Sequence, residues 1–358
     1  MIKSIEVFDL NVPLKVPYHT AIADIPFFTS LVVRLRDDKG NEGLGECTTV
    51  LGYSWESPED AWGFAKAHGV ELLNQELTNA KEKLQPWVHK HPFACTAFLT
   101  AIELLQGESL LKSPSTRKEV ELVGIVNATT KDQSLGIAEK LLQSGYGTLK
   151  VKVGFDVERD IDKVRAIQSQ VGSRGKIRID ANQHYTYSEA ERFVDSVDPS
   201  NIELFEQPFG NDAWGAMKQL SLISPLPLML DESIYGLEEV ERTAKEKCAQ
   251  WIKFKLMKSS SAQSMAAAIR LAQKHGIGII YGNGVATEIG CYHEALLCSN
   301  LGVKTAGEQN GFLKTVAPIC IEAPKFVDGK VILEPDFCLR LNDEQVLEWT
   351  KNKMQWQA

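Results

Sequence analysis

Apolar and polar positions fall into two textures along the chain. From residue 120 onward, short apolar runs of strand length alternate with amphipathic stretches of helix length. The runs predict strands at 120–126, 149–153, 177–179, 202–205, 228–230, 251–255 and 278–281. The stretches between them predict helices at 133–144, 157–171, 188–197, 214–222, 237–247 and 262–275. Such alternation builds a parallel sheet covered by helices. Seven or eight units in about 200 residues favour a closed barrel over an open sheet. Before residue 119 the texture is mixed α+β. A strand is expected at 3–10, a second at 31–36, a turn at Asp37-Asp38-Lys39-Gly40-Asn41 and a return strand through Gly43-Leu44-Gly45-Glu46, followed by helices at 58–74 and 91–111. Past residue 317, Asp328-Gly329 marks a hairpin within 325–333. The expected organisation is α/β: an N-terminal α+β capping domain at 1–118, a barrel at 119–317, and a tail at 318–358 that returns to the cap.

Three of the expected strands end in an acid: Asp180 in Ile-Asp-Ala-Asn, Glu206 in Phe-Glu-Gln-Pro, Asp231 in Leu-Asp-Glu-Ser. Steps of 26 and 25 residues separate them, close to the length of one βαβ crossover. Strand ends of a parallel barrel share one face, where the chemistry of that fold sits. Three converging oxygen donors suit a hard cation such as magnesium. A lone acid at a strand end more often meets solvent or caps the next helix; the even spacing is what argues otherwise. Lys150-Val151-Lys152 lies one step upstream, and Lys253-Phe254-Lys255 one step downstream. Side chains two apart on a strand share a face, so Lys150 pairs with Lys152, and either Lys253 or Lys255 could enter the site from the far side.

Composition narrows the function classes. Hydrophobic content of 44% and charged content of 24% are those of a globular chain. A net charge of −8 without a basic run argues against nucleic acid. The first residues lack a signal-peptide core, and no run reaches membrane-spanning length. Seven cysteines without C-x-x-C spacing fit reduced thiols in a cytoplasmic protein.

Taken in order, the Lys-Val-Lys pair, the three acidic strand ends and the Lys-Leu-Met-Lys segment resemble the enolase superfamily, and within it the muconate-lactonizing subgroup. Gly43-Leu44-Gly45-Glu46 also looks like that family's G-x-G-E turn. The resemblance implies a modified TIM barrel, (β/α)7β, with its α+β cap made from both chain ends. It implies one Mg2+ on Asp180, Glu206 and Asp231, with Lys152 and Lys255 as proton-transfer groups on opposite faces of the substrate. Lys150 would support Lys152 and the substrate carboxylate. The resemblance favours Lys255 over Lys253 and leaves Lys258 to a loop. Asn182 and Gln207 match positions near the metal, and Asn182, Glu308 and His19 are the expected substrate contacts, His19 from an early loop over the site. Glu232 and Glu203 are expected to point the other way or lie in the loop, and His293-Glu294 reads as an ordinary helix pair.

The implied chemistry is abstraction of the proton α to a carboxylate through an enediolate. Magnesium supplies charge where charge develops, and a lysine acts as base only where its surroundings disfavour the ammonium. Racemisation or epimerisation of an amino-acid-derived carboxylate leads the reading, followed by muconate-type cycloisomerisation and dehydration. A catalytically silent, metabolite-binding barrel is the reading from another class. The last strand, Lys304 to Phe312, lacks the Asp-x-Asp of dipeptide epimerases, and Glu308 fills the muconate cycloisomerase position. The expected partners are a small carboxylate substrate and further copies of the chain in a homo-oligomer, with no nucleic acid and no membrane.

Overall fold

A ring of parallel strands carries an antiparallel cap. The computed structural model describes residues 1–19, 24–50, 55–128 and 130–358, with the side chains of 18, 19 and 24 outside the description. Strands β1 (Ile2–His19), β2 (Asp24–Asp37) and β3 (Glu42–Thr49) open the chain. Strand β4 (Lys118–Glu121) leads into β5 (Gly124–Val126), β6 (Thr148–Lys152), β7 (Lys176–Asp180), β8 (Ile202–Glu206), β9 (Leu228–Leu230), β10 (Trp251–Phe254) and β11 (Gly278–Tyr281). A hairpin of β12 (Lys325–Val327) and β13 (Lys330–Leu333) follows, and β14 (Thr350–Gln357) ends the chain.

Strands β5 to β11 form one parallel sheet in sequence order. Residues 305–308 close it as an eighth, irregular stave. The Glu308 amide donates to Tyr281 O (2.9 Å) on one side, and the Gly307 amide donates to Glu121 O (2.8 Å) on the other. The Val123 amide returns a bond to Gly307 O (2.8 Å). The result is the expected (β/α)7β barrel with its cap. Leu204, Met229 and Ile280, packed by Trp251, fill the inside of the ring. Among the described residues no helix is long and apolar enough to cross a membrane.

The cap sheet runs β14-β1-β2-β3, so the last strand lies against the first. Helix Pro92–Leu105 packs across it. The contact is close: a Cβ on Gly43 or Gly45 would stand 2.1 Å from Ala101 O or 1.9 Å from Ala97 O. Those glycines therefore sit in β3, not in a turn, and exist to let a helix backbone touch a strand. Glu46 beside them is buried and reaches into the barrel. It accepts from the Thr287 amide (2.9 Å), Thr287 Oγ1 (2.7 Å) and the Gly290 amide (2.8 Å), capping the barrel helix Glu288–Asn300. Glu103 does the same for helix Ala262–Lys274, accepting from the amides of Ala262 and Gln263. Buried carboxylates at helix N-termini meet orphan amides and the positive end of the helix dipole, so the two domains are joined by directed polar contacts.

Several boundaries differ from the sequence reading. The run 120–126 is split, because Leu122 and Val123 turn their amides to Gly329 O and Gly307 O. The 91–111 helix ends at Leu105, where Gly107 adopts φ +73°. The early segment holding His19 is strand up to its pairing with Asp24, not loop, because the β1–β2 hairpin is longer than the alternation of residues 3–10 suggested. The hairpin at 325–333 pairs with β4, and only β14 rejoins the cap sheet.

Replacing Gly45 by Ala should destabilise the protein by about 3 kcal/mol or more, the upper range for overpacking, because the obstruction is backbone. Thermal unfolding of Gly45→Ala measures it, and an unchanged midpoint would contradict the packing described.

Candidate active site

The C-terminal ends of the barrel strands hold one cluster of alternating charge. On β6, Lys150 and Lys152 face inward two residues apart, and both ammonium groups reach Asp180 Oδ2, at 2.8 and 2.6 Å. Lys150 also meets Glu206 Oε2 (2.7 Å) and Glu308 Oε1 (2.6 Å). Lys253, from β10, meets Glu308 Oε1 (2.5 Å) and Glu206 Oε1 (3.2 Å), and Asp231 Oδ2 lies 3.6 Å away. Lys255, just past β10, donates to Asp231 Oδ2 at 2.7 Å. The structure thus brings Lys150, Lys152, Lys255, Asp180, Glu206, Asp231 and Glu308 together. All but Lys152 are buried.

Sharp turns aim the polar groups around them. Asn182, with φ +43°, donates its amide to Asp180 Oδ1 (2.9 Å) and accepts from Lys152 Nζ on Oδ1 (2.6 Å). Gln207, with φ +36°, accepts from the Asp231 amide (2.9 Å) and donates to Phe209 O and Ser233 Oγ. Left-handed backbone at non-glycine residues is strained and clusters where function over-determines it. Gln207 here locks the ends of β8 and β9 to each other.

Burial and charge set the protonation of the lysines in opposite directions. Burial opposes the Lys150 ammonium, but Asp180, Glu206 and Glu308 outweigh it and raise its pKa well above the ordinary value. Lys253 is raised too, because Glu206 and Glu308 overcome the same burial. Lys255 is lowered well below the ordinary lysine range, first by burial and then by Lys258. The two lysines that the strand pattern left interchangeable are therefore unlike: Lys253 is a fixed cation, and Lys255 is driven toward the neutral amine that a base requires. Among the acids, burial and then Asp180 push Glu206 up to about 8. Asp180 stays below the usual carboxylate range: burial works against it, but Lys150 and Lys152 prevail.

One expectation fails and another needs refining. Lys258 is no loop residue: it lies in a buried 3-10 turn, Leu256–Lys258, and donates to Asp231 O (2.7 Å). Its ammonium stands 4.2 Å over the Tyr235 ring. The signal was its three-residue spacing from Lys255, which a single helical turn places on one side. Glu232 lies in the bend after β9, one of the two placements expected for it, but from there it faces the cluster. It is buried, it accepts from Asn182 Nδ2 (3.1 Å), and its Oε2 has no hydrogen-bond partner. The bend after β9 breaks the two-residue alternation that the expectation used. Glu203 does face elsewhere, to Arg178 (2.6 Å) and Lys176 (3.1 Å). The His19 side chain lies outside the described residues.

The donor set suits a hard divalent cation. As the side chains stand, no group of three His, Cys, Asp or Glu among the described residues is arranged to hold a metal, because lysine ammonium groups lie between Asp180, Glu206 and Asp231. Yet all three are buried oxygen donors, and Glu206 Oε2 accepts no hydrogen bond despite its ion pair with Lys150. The three carboxylates are buried at one end of the ring, with lysine ammonium groups as their positive neighbours. A cation of higher charge would compensate the acids, and oxygen-only donors favour magnesium over softer metals.

Comparisons with known proteins agree with this geometry. The family described as Enolase C-terminal domain-like matches residues 136–336. Muconate cycloisomerase 1 of Pseudomonas putida is 26% identical to the chain over 98% of both sequences. An L-Ala-D/L-Glu epimerase of Clostridium acetobutylicum is 29% identical, covering 79% of this chain and 82% of its own. A crystal structure of muconate lactonizing enzyme from Pseudomonas fluorescens, complexed with muconolactone, superposes with a TM-score of 0.89 at 26% identity, covering 98% of this chain and 99% of that one.

Replacing Lys150 by Met should remove the charge that Asp180, Glu206 and Glu308 share. Breaking one side of a buried ion pair costs about 3–5 kcal/mol. Chemical denaturation of Lys150→Met without added metal reads this directly, and a midpoint equal to wild type would contradict it.

Proposed function

The chain belongs to the Enolase C-terminal domain-like family, in the muconate-lactonizing subgroup of the enolase superfamily, and we propose that it is a magnesium-dependent isomerase that abstracts the proton α to a substrate carboxylate. One observation carries this reading. Lys152 ends β6 and Lys255 follows β10, four places apart in a ring of eight staves, so they enter the mouth from opposite sides. A substrate held between them could lose its α-proton to one, and the planar carbanion so formed could take a proton from the other.

Asp180, Glu206 and Asp231 are the residues that would hold the magnesium. When bound, the ion supplies positive charge to the two oxygens of the enediolate. The chain's own groups supply the rest. A neutral lysine amine takes the α-proton, and the C–H electron pair moves into the carboxylate. The opposite lysine, as ammonium, returns a proton to the other face, so charge and protons balance over one turnover. Lys150 and Lys253 remain cations, holding Glu308 and Glu206 in place. Asn182 orients Lys152 through its 2.6 Å hydrogen bond.

Racemisation or epimerisation of an amino-acid-derived carboxylate is the first reading, because the opposed lysines serve both hands of the substrate. Muconate-type cycloisomerisation is the second. It is favoured by the last stave, where buried Glu308 is followed two places on by Asn310, a neutral side chain that donates to Val123 O. The protein is proposed to act in the cytoplasm as a homo-oligomer. Six buried free cysteines among the described residues are consistent with a reducing compartment.

Incubation in deuterium oxide with a panel of N-acyl amino acids, dipeptides, proline derivatives and muconates should yield α-deuterated or cyclised product with wild type. Lys152→Ala and Lys255→Ala should each lose turnover while keeping the fold. A wild-type protein that exchanges no α-hydrogen in any compound would point to the silent binding barrel. Independently of activity, magnesium at a hundred times its Kd should stabilise the protein by about 2.7 kcal/mol. Chelator should reverse the shift, and Asp180→Asn should abolish it. A thermal midpoint indifferent to magnesium would remove the metal from this reading.

A further inference from the structure

The pair His293-Glu294 reads in the sequence as an ordinary stretch of helix, but Glu294 is 2% exposed and has a definite task. The hydrogen-bond ladder between β10 and β11 stops at Phe254 and Tyr281, with a last bond from the Gly282 amide to Phe254 O (2.9 Å). Lys255 is the next residue, and from there the two strands diverge. Glu294, on helix Glu288–Asn300, spans the gap. Its Oε1 accepts from the Leu256 amide at 2.8 Å, and its Oε2 accepts from the Asn283 amide at 2.9 Å. The Leu256 amide belongs to the peptide bond that follows Lys255, so the carboxylate fixes the backbone from which the Lys255 side chain springs.

We propose that Glu294 is a positioning residue for Lys255: its carboxylate replaces the missing rung between β10 and β11 and sets the direction from which the Lys255 amine meets the substrate. The inference rests on the reading of Lys255 as one of two opposed proton-transfer groups. Other contacts complete the clamp. Thr96 Oγ1, from the cap helix, donates to Pro92 O of its own helix at 2.8 Å and lies 3.2 Å from Leu256 O and 3.3 Å from Met257 O. Asn283, held by Glu294, is within 2.9 Å of Met257 Sδ through Nδ2 and accepts from the Val285 amide through Oδ1. The turn carrying Lys255 and Lys258 is thus gripped from the helix layer by Glu294 and met from the cap by Thr96. Both Glu294 bonds fall on the Lys255 side of the ring, with Lys152 on the far side, and this asymmetry makes the proposal testable.

The experiment follows α-deuterium incorporation into each enantiomer of an exchanging substrate by wild type, Glu294→Ala and Glu294→Gln. The enantiomer served by Lys255 is the one whose exchange Lys255→Ala abolishes. Misplacing a reacting group by about 1 Å costs about a hundredfold. Exchange of that enantiomer should therefore fall by about that factor in Glu294→Ala and less in Glu294→Gln, which keeps one acceptor. Exchange of the enantiomer served by Lys152 should persist. An equal fall for both enantiomers, or no fall for either, would overturn the proposal. If wild type exchanges no carboxylate at all, the reading of the function fails, and the positional claim is judged without substrate. Amide hydrogen exchange at Leu256 and Asn283 should then lose protection in Glu294→Ala relative to the rest of β10 and β11. Unchanged protection would overturn it.

Discussion

Carboxylates and ammonium groups interleaved in a buried barrel mouth set the terms for the rest of this structure. A single buried charge is costly unless paired, and removing one partner strands the others. Here the pairing is shared: Lys150 serves three acids, and Lys253 stands among three. Such a cluster cannot relax by moving one side chain. Its geometry is fixed by the staves from which the groups arise, and the shared constraint separates lysines of equal chemistry into fixed cations and a candidate base.

The cap and the barrel meet under a related rule. Glu46 and Glu103 leave the cap to satisfy the first amides of two barrel helices, and Thr96 accompanies them onto the turn after Lys255. Hydrogen bonds at a helix end are directional, so this seam defines an orientation as well as an area. The cap core takes in Met257, Val285 and Ile289 from the barrel, so apolar packing and polar registration act at the same place. The close approach at Gly43 and Gly45 lets Glu46 on the same strand reach that far.

The barrel was legible because its code is periodic. Strand-length apolar runs and steps of about 25 residues repeat, three successive runs end in an acid, and Asp180, Glu206 and Asp231 stand where that repetition put them. What escaped lies where the period breaks. Glu232 follows a strand end, where the backbone bends and the inside–outside alternation no longer applies. Lys258 enters the cluster through one turn of 3-10 helix too short to leave a periodic trace. Glu294 is invisible for another reason: its partners are main-chain amides 38 and 11 residues away, and a side chain's choice of a distant backbone donor leaves no mark on composition or spacing. The split of 120–126 is a similar case, since the apolar run continues while the hydrogen bonds change partners.

The neighbouring places of β1 and β14 carry a consequence for the order of assembly. The strand that begins the chain is flanked by the strand that ends it, paired from Ser4–Gln357 to Leu10–Thr350. During synthesis β1 emerges with one edge lacking its eventual neighbour until β14 has been made. Pairings of such extreme sequence separation form late and slowly. The barrel strands all precede β14, so the barrel can coil up while the cap sheet still waits for its outer edge.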